Sequence, residues 1–294
     1  MAQLGQIRQH PARLMKPLQQ MQISKRWFCR SKDDATTSTG GTVKKLSMSS
    51  SSPTVGVDPN SSPQIIDINI GGRDFLVGSD QYFDFSKSFK RSESWRSKLV
   101  STMLVYPNFI SGEEELLILK EIEPYLSRLH YEESHWDDAI HSYRETERSK
   151  WNKKNEVIIN RIRGLAFPPE VPQLKLVHIL DLAKNGVIKP HIDSIRFCGN
   201  TIAGLSLLSD CVMRLRHEVQ KDFYCDILLP RLSLYMMRNF ARYEFTHEIL
   251  GDADSTFKTS KITRNRRISI ICRNEPTITT NSNQTPVFTP LNET

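Results

Sequence analysis

The chain lacks any apolar run approaching the roughly 18 residues that a membrane-crossing helix needs, none of its five cysteines stands in a C-x-x-C pair, and its first 32 residues contain no Asp or Glu. The first absence argues against a helical membrane span, and the leader also lacks a continuous apolar core of the length that a secretory signal needs. The second removes the usual cysteine signature of structural zinc, and an odd, scattered set of thiols fits a reducing compartment. The third explains the charge. Of 40 Lys and Arg against 33 Asp and Glu, the seven basic residues Arg8, Arg13, Lys16, Lys25, Arg26, Arg30 and Lys32 carry the whole formal excess of +7. From Asp33 onward basic and acidic residues balance, so the basicity belongs to a leader and not to the working domain.

Leu4, Ile7, Leu14, Leu18 and Met21 fall roughly on one helical face of that leader. An Arg-rich, acid-poor amphipathic segment is the pattern of a mitochondrial transit peptide, which predicts residues 1–32 as the transit peptide of a matrix protein. Pro11 and Pro17 interrupt the helix, and a nucleic-acid-binding basic arm competes with this reading. Residues 33–63, with Ser49-Ser50-Ser51-Ser52-Pro53, are too polar to bury a core. Ile65 to Ile70 alternates like a short strand ending in a turn, whereas the Ser-, Phe- and Lys-rich stretch from Gln81 to Leu99 carries no legible chemistry and is expected to pack loosely or stay disordered. The expected organisation is therefore a leader (1–32), a low-complexity linker and poorly defined extension (33–105), one domain (106–274) and a disordered tail (275–294).

Within the domain, Ser111 with Glu114 forms a capping-box pattern, followed by Leu116, Leu117, Leu119 and Ile122 as a buried stripe up to a kink at Pro124. Further helices are expected over 136–148 and 153–163. From Val177 the texture changes to short runs of Val, Ile, Leu and Tyr, giving strands over 177–182, 187–194, 201–209, 211–218, 223–229, 232–238, 242–248 and 266–273. Eight short strands after a group of helices predict an α+β domain, a double-stranded β-helix (jelly roll, cupin-like) with buttressing N-terminal helices.

The chemistry concentrates in three places. His191-Ile192-Asp193 puts an imidazole and a carboxylate on one face of an extended strand, and His247 lies far enough downstream to reach them from another strand. Two histidines and one carboxylate make the facial triad of non-haem iron(II) oxygenases, with open positions opposite. His135 and His141 are not expected to be ligands, since a helix over 136–148 would put them on different faces. In the strand 266–273, Arg267, Ser269, Ile271 and Arg273 share one face and Ile268, Ile270 and Cys272 the other. Two inward arginines need an anion, and a dicarboxylate such as 2-oxoglutarate matches a guanidinium fork. A solvated edge strand is the alternative.

His191-x-Asp193, His247 and Arg267-x-Ser269-x-Ile271-x-Arg273 resemble the H-x-D…H…R-x-N-x-T-x-R signature of the AlkB-type iron(II)/2-oxoglutarate-dependent dioxygenases. The likeness runs from about Tyr106 to Arg273, and the blocks His135 to Ile140, Ile188 to Ile195, Thr201 to Ser209 and Arg267 to Arg273 are similar to the mitochondrial branch of that family. Ser269 and Ile271 replace the family's Asn and Thr, and Leu180-Asp181-Leu182 replaces an Asn-x-Tyr co-substrate contact. The resemblance implies Fe(II) on His191, Asp193 and His247, 2-oxoglutarate on Arg267 with Ser269 and Arg273 beside it, and O2 as the oxidant. It also implies Tyr235 as a co-substrate neighbour, with an ordinary core aromatic as the alternative reading. The branch is associated with fatty-acid metabolism and with programmed necrosis after alkylation damage. Balanced charge beyond the leader favours a protein or small-molecule substrate; an oxidative nucleic-acid demethylase, which needs a basic groove, and a non-catalytic binding protein that retains the metal site are the competing readings.

Overall fold

The computed structural model describes residues 66–70, 73–77 and 80–276; the expected leader, most of the linker and nearly all of the expected tail lie outside them. The strand expected from Ile65 is β1 (Ile66–Ile70), paired antiparallel with β2 (Arg73–Val77). The domain then runs β3 (Phe83–Phe85), α1 (Lys87–Arg91), α2 (Glu93–Thr102), β4 (Met103–Tyr106), α3 (Gly112–Leu126), β5 (Glu132–Ser134), β6 (Ile140–Arg148), α4 (Lys153–Ala166) and β7 (Val177–His191). It continues with β8 (Thr201–Leu207), β9 (Cys211–His217), β10 (Tyr224–Leu229), β11 (Leu234–Arg238), α5 (Asn239–Tyr243), β12 (Phe245–Ile249), a small hairpin of β13 (Thr256–Phe257) and β14 (Ser260–Lys261), and β15 (Arg267–Arg273).

One curled antiparallel sheet follows the order β3-β10-β9-β12-β7-β15-β8-β11-β4, with β6 on β7 and β5 on β6. Strand β7 joins its two halves into the jelly roll. His178 to Leu182 pair with β15, while Ile188 and His191 pair with β12. The change of partner falls at a bend where a Cβ on Gly186 would stand 2.7 Å from the Ser142 carbonyl oxygen. Opposite, Ser142 has φ 50 at a register shift in β6, so the bend needs a residue without a side chain. The two strands expected at 177–182 and 187–194 are thus one strand, which stops at His191.

The two faces of the sheet are buried differently. Ile179, Leu205, Leu207, Met236, Ile268, Ile270 and Cys272 point outward under α3 and α4, where Ile118, Ile122, Ile158, Ile159 and Ile162 cover them. Each such side chain contributes about 1.5–3 kcal/mol on full burial. Caps fix where these helices start: Ser111 and Glu114 form the reciprocal box on α3, and the Asn152 side chain accepts from the amides of Lys154 and Asn155 on α4. Helix α3 runs on through Pro124 and ends two residues later, so the proline marks its last turn.

Two expectations fail here. The helix expected over 136–148 is the β5–β6 turn and strand β6. Its Arg-Glu-Thr-Glu-Arg run favours helix locally, but pairing of Arg144 with Asp181, Glu145 with Leu180 and Glu147 with His178 along β7 outweighs that preference. The Arg144–Asp181 ion pair at 2.7 Å adds to it. The extension expected to end at residue 105 is also part of the domain from β3 onward. Phe83, Phe85, Phe89, Leu99, Met103 and Val105 join the inner core, and β3 and β4 form the two edges of the sheet by pairing with β10 and β11. Among the described residues no helix is long and apolar enough to cross a membrane.

Candidate metal and co-substrate site

Strands β7 and β12 place His191 directly opposite His247, with ring centroids 4.2 Å apart. Asp193 completes the group from the loop after β7, not from the strand pleat expected for His-x-Asp, because β7 has already ended. Its Oδ1 lies 3.3 Å from His191 Nε2 and 3.6 Å from His247 Nε2. Among the described residues this is the one group of three His, Cys, Asp or Glu side chains whose ligand atoms converge, all within 4.8 Å. His135 is instead buried in the β5–β6 turn, 2.6 Å from Asp137, and His141 is paired with Asp138.

The donor set suits a divalent cation. The His191 Nδ1–H donates to the Lys189 carbonyl at 2.8 Å, which leaves the Nε2 lone pair facing the carboxylate. Burial and the neighbouring His191 push the His247 imidazole down to about 3, so it is neutral at ordinary pH. Burial raises the Asp193 carboxyl, but Arg273 and the two histidines outweigh it and hold the group well below the usual carboxylate range. The lone pair of the His247 imidazole, the Nε2 of His191 and the Asp193 carboxylate converge on one spot, and such a donor set suits a cation between them. The three side chains stand on the wall of a cavity that is also lined by Tyr235, Arg267, Ser269, Ile271 and Arg273.

That cavity wall is the inward face of β15, with Ile268, Ile270 and Cys272 on the opposite face as their alternation predicts. Arg267 is buried, donating to the hydroxyls of Ser269 and, at 3.0 Å, Ser206, and it has no acidic partner among the described residues. Its Nε has no hydrogen-bond partner there either. A buried guanidinium served by two hydroxyls is half a salt bridge. Arg273 lies 3.4 Å from Asp193 Oδ2 and 3.4 Å from His178 Nδ1, and His178 is bound in turn to Glu145 at 2.8 Å. Arg266, one position off, points the other way to Asp181 and Glu123.

Tyr235 sits on the same wall, pushed up to about 12 by burial, with Arg267 acting in the opposite direction. Its ring crosses β8 at Gly204, where a Cβ would stand 2.3 Å from a ring carbon, so only glycine lets the phenol lie there. Where the family has Asn-x-Tyr, Leu180 lines the cavity and Asp181 turns away to Arg144 and Arg266. Ser206 and His178 went unnoticed in the sequence. Ser206 pairs in register with Ser269, a signal visible only once the neighbouring strands are known.

A model for the 2OG-Fe(II) oxygenase superfamily matches residues 123–273. The chain is 50% identical to the mitochondrial alpha-ketoglutarate-dependent dioxygenase alkB homolog 7 of Mus musculus over 61% of its length and 81% of the relative's. The Bos taurus protein of that name gives the same identity and the same coverage. A DNA N6-methyl adenine demethylase of Caenorhabditis elegans is 28% identical over 100 residues, 34% of this chain and 32% of that one. Both alkB homolog 7 relatives are mitochondrial by name, and this chain is accordingly a mitochondrial protein. Matched over half its length by the family model and at half its positions by these relatives where they align, the chain belongs to the 2OG-Fe(II) oxygenase superfamily, on its AlkB side, as an enzyme that uses Fe(II), 2-oxoglutarate and O2.

Proposed function

We propose that His191, Asp193 and His247 hold the iron, that Arg267 with Tyr235, Ser206 and Ser269 binds the distal carboxylate of 2-oxoglutarate, and that the enzyme hydroxylates a protein or small metabolite in the mitochondrial matrix. The observation that carries this reading is the buried, acid-free guanidinium of Arg267 on the wall of a cavity that also holds three converging side chains able to bind a metal. Iron, 2-oxoglutarate and O2, when bound, supply the oxidising chemistry, with succinate and CO2 as the co-substrate's products. The chain's own residues do the rest. Lys189 orients His191 through its carbonyl, Arg273 takes one Asp193 oxygen and leaves the other to the histidines, and Ser206 and Ser269 hold the Arg267 fork toward the cavity. Resemblance to the mitochondrial branch supports a role linked to fatty-acid metabolism and to programmed necrosis after alkylation damage.

Balanced charge beyond residue 32 supports a substrate without a phosphate backbone. The demethylase relative favours the second reading, a nucleic-acid demethylase. Succinate release by the full chain with Fe(II) separates the two. Stimulation by mitochondrial extract but not by alkylated oligonucleotide is expected, and stimulation by the oligonucleotide would establish the second reading. The leader has its own test. Residues 1–32 fused to a reporter are expected to carry it into the matrix, and a nuclear reporter signal would reject the transit peptide.

A further inference from the structure

The geometry points to Arg242 as a positioning residue for the metal: its buried guanidinium ties the loop that presents Asp193 to the segment that presents His247. The inference rests on the metal-site reading above and concerns how that site is kept in shape.

Asp193 lies beyond the end of β7, so the ladder that fixes His191 and His247 does not fix it. Its carboxylate is aimed by charge, but its backbone needs an anchor. Arg242, on the short helix α5 five residues before His247, donates Nη2 to the Asp193 carbonyl at 2.7 Å. The same nitrogen lies 3.1 Å from Cys198 Sγ, further along the Asp193 loop. The other end of that loop is held by Asn274, whose carbonyl accepts from Gly199 N at 2.9 Å and whose side chain accepts from Thr201 N at 2.9 Å. Arg242 is thus the link between the second and third ligands.

Its surroundings are costly for an ordinary structural residue. Arg242 is 1% exposed, it has no acidic partner among the described residues, and its Nε and Nη1 have no hydrogen-bond partner there. Burying a guanidinium without an acidic partner works against folding, and the Tyr243 ring 5.1 Å away offsets only part of that cost. An apolar side chain of similar length would relieve that cost and lose the tether, which separates a positioning role from a structural one.

The test is anaerobic titration of the full chain with Co(II), followed by its d–d absorption, alongside the Tm of the metal-free protein. Arg242→Met is expected to bind metal about 10–100-fold more weakly, the usual loss when a group that orients a ligand is removed, with an equal or higher Tm. Arg242→Lys, which keeps the charge and one donor, is expected to fall between Arg242→Met and the wild type. Wild-type metal affinity in folded Arg242→Met, with metal lost in His191→Ala, overturns the role of Arg242 alone. A lower Tm with unchanged affinity likewise makes Arg242 structural. Wild-type affinity in His191→Ala removes the metal site itself, and this inference with it.

Discussion

His191→Ala is expected to abolish specific metal binding and reduce succinate formation to the metal-free background, while His141→Ala leaves both at wild-type levels. Both histidines lie on adjoining strands of the same sheet, but only His191 has a lone pair committed to the site by its backbone hydrogen bond. Removing it leaves one imidazole and one carboxylate, and that carboxylate is already engaged by Arg273. The loss should exceed the roughly 100-fold upper range seen when only an orienting partner of a ligand is removed. His191 is partly exposed at the rim, so its truncation leaves the core intact and the metal-free Tm close to wild type. Anaerobic Co(II) titration with a matched thermal melt reads both quantities. Tight stoichiometric binding by the folded variant would move the metal elsewhere.

How much of this could be read beforehand depends on how local the determining physics is. The facing of β15 was legible because its arginines alternate with branched apolar residues, and the alternation sorts cavity from core. Helix α4 was legible as the helix expected over 153–163, and the structure adds its Asn152 cap and buried isoleucines. Strand β6 was not: Arg144, Glu145 and Glu147 favour helix until β7 offers them partners more than thirty residues away. The segment from Phe83 to Val105 was missed for the same reason, since its pairing partners β10 and β11 come more than a hundred residues later. At the site, the residue types and chain order of His191, Asp193 and His247 were visible. The presentation of Asp193 from a loop, its tether to Arg242 and the pairing of Ser206 with Ser269 depend on contacts remote in sequence.

Arg267→Ala is expected to keep the metal and lose the co-substrate. In the free protein this guanidinium is buried with two hydroxyls and no acid, so its desolvation is already paid before any anion arrives. A carboxylate entering the cavity would meet a fork fixed by Ser206 and Ser269 and gain two charge-assisted hydrogen bonds in surroundings that screen little. Truncating one partner of such a buried pair costs about 2–5 kcal/mol, equivalent to roughly 30- to 5,000-fold in Kd. Arg267→Lys should recover only part of this, because an ammonium cannot present the parallel fork. Stability gives an independent sign. Removing an uncompensated buried cation should hold or raise the Tm of the free protein, offsetting the cavity left behind. Saturating 2-oxoglutarate, worth about 2.7 kcal/mol at a hundred times its Kd in the wild type, should give the variant little further shift. Isothermal titration with 2-oxoglutarate on the Co(II)-loaded proteins, beside melts with and without it, measures both. Wild-type affinity in the folded variant would take the anchor away from Arg267 and turn attention to Arg273, whose guanidinium already faces the Asp193 carboxylate.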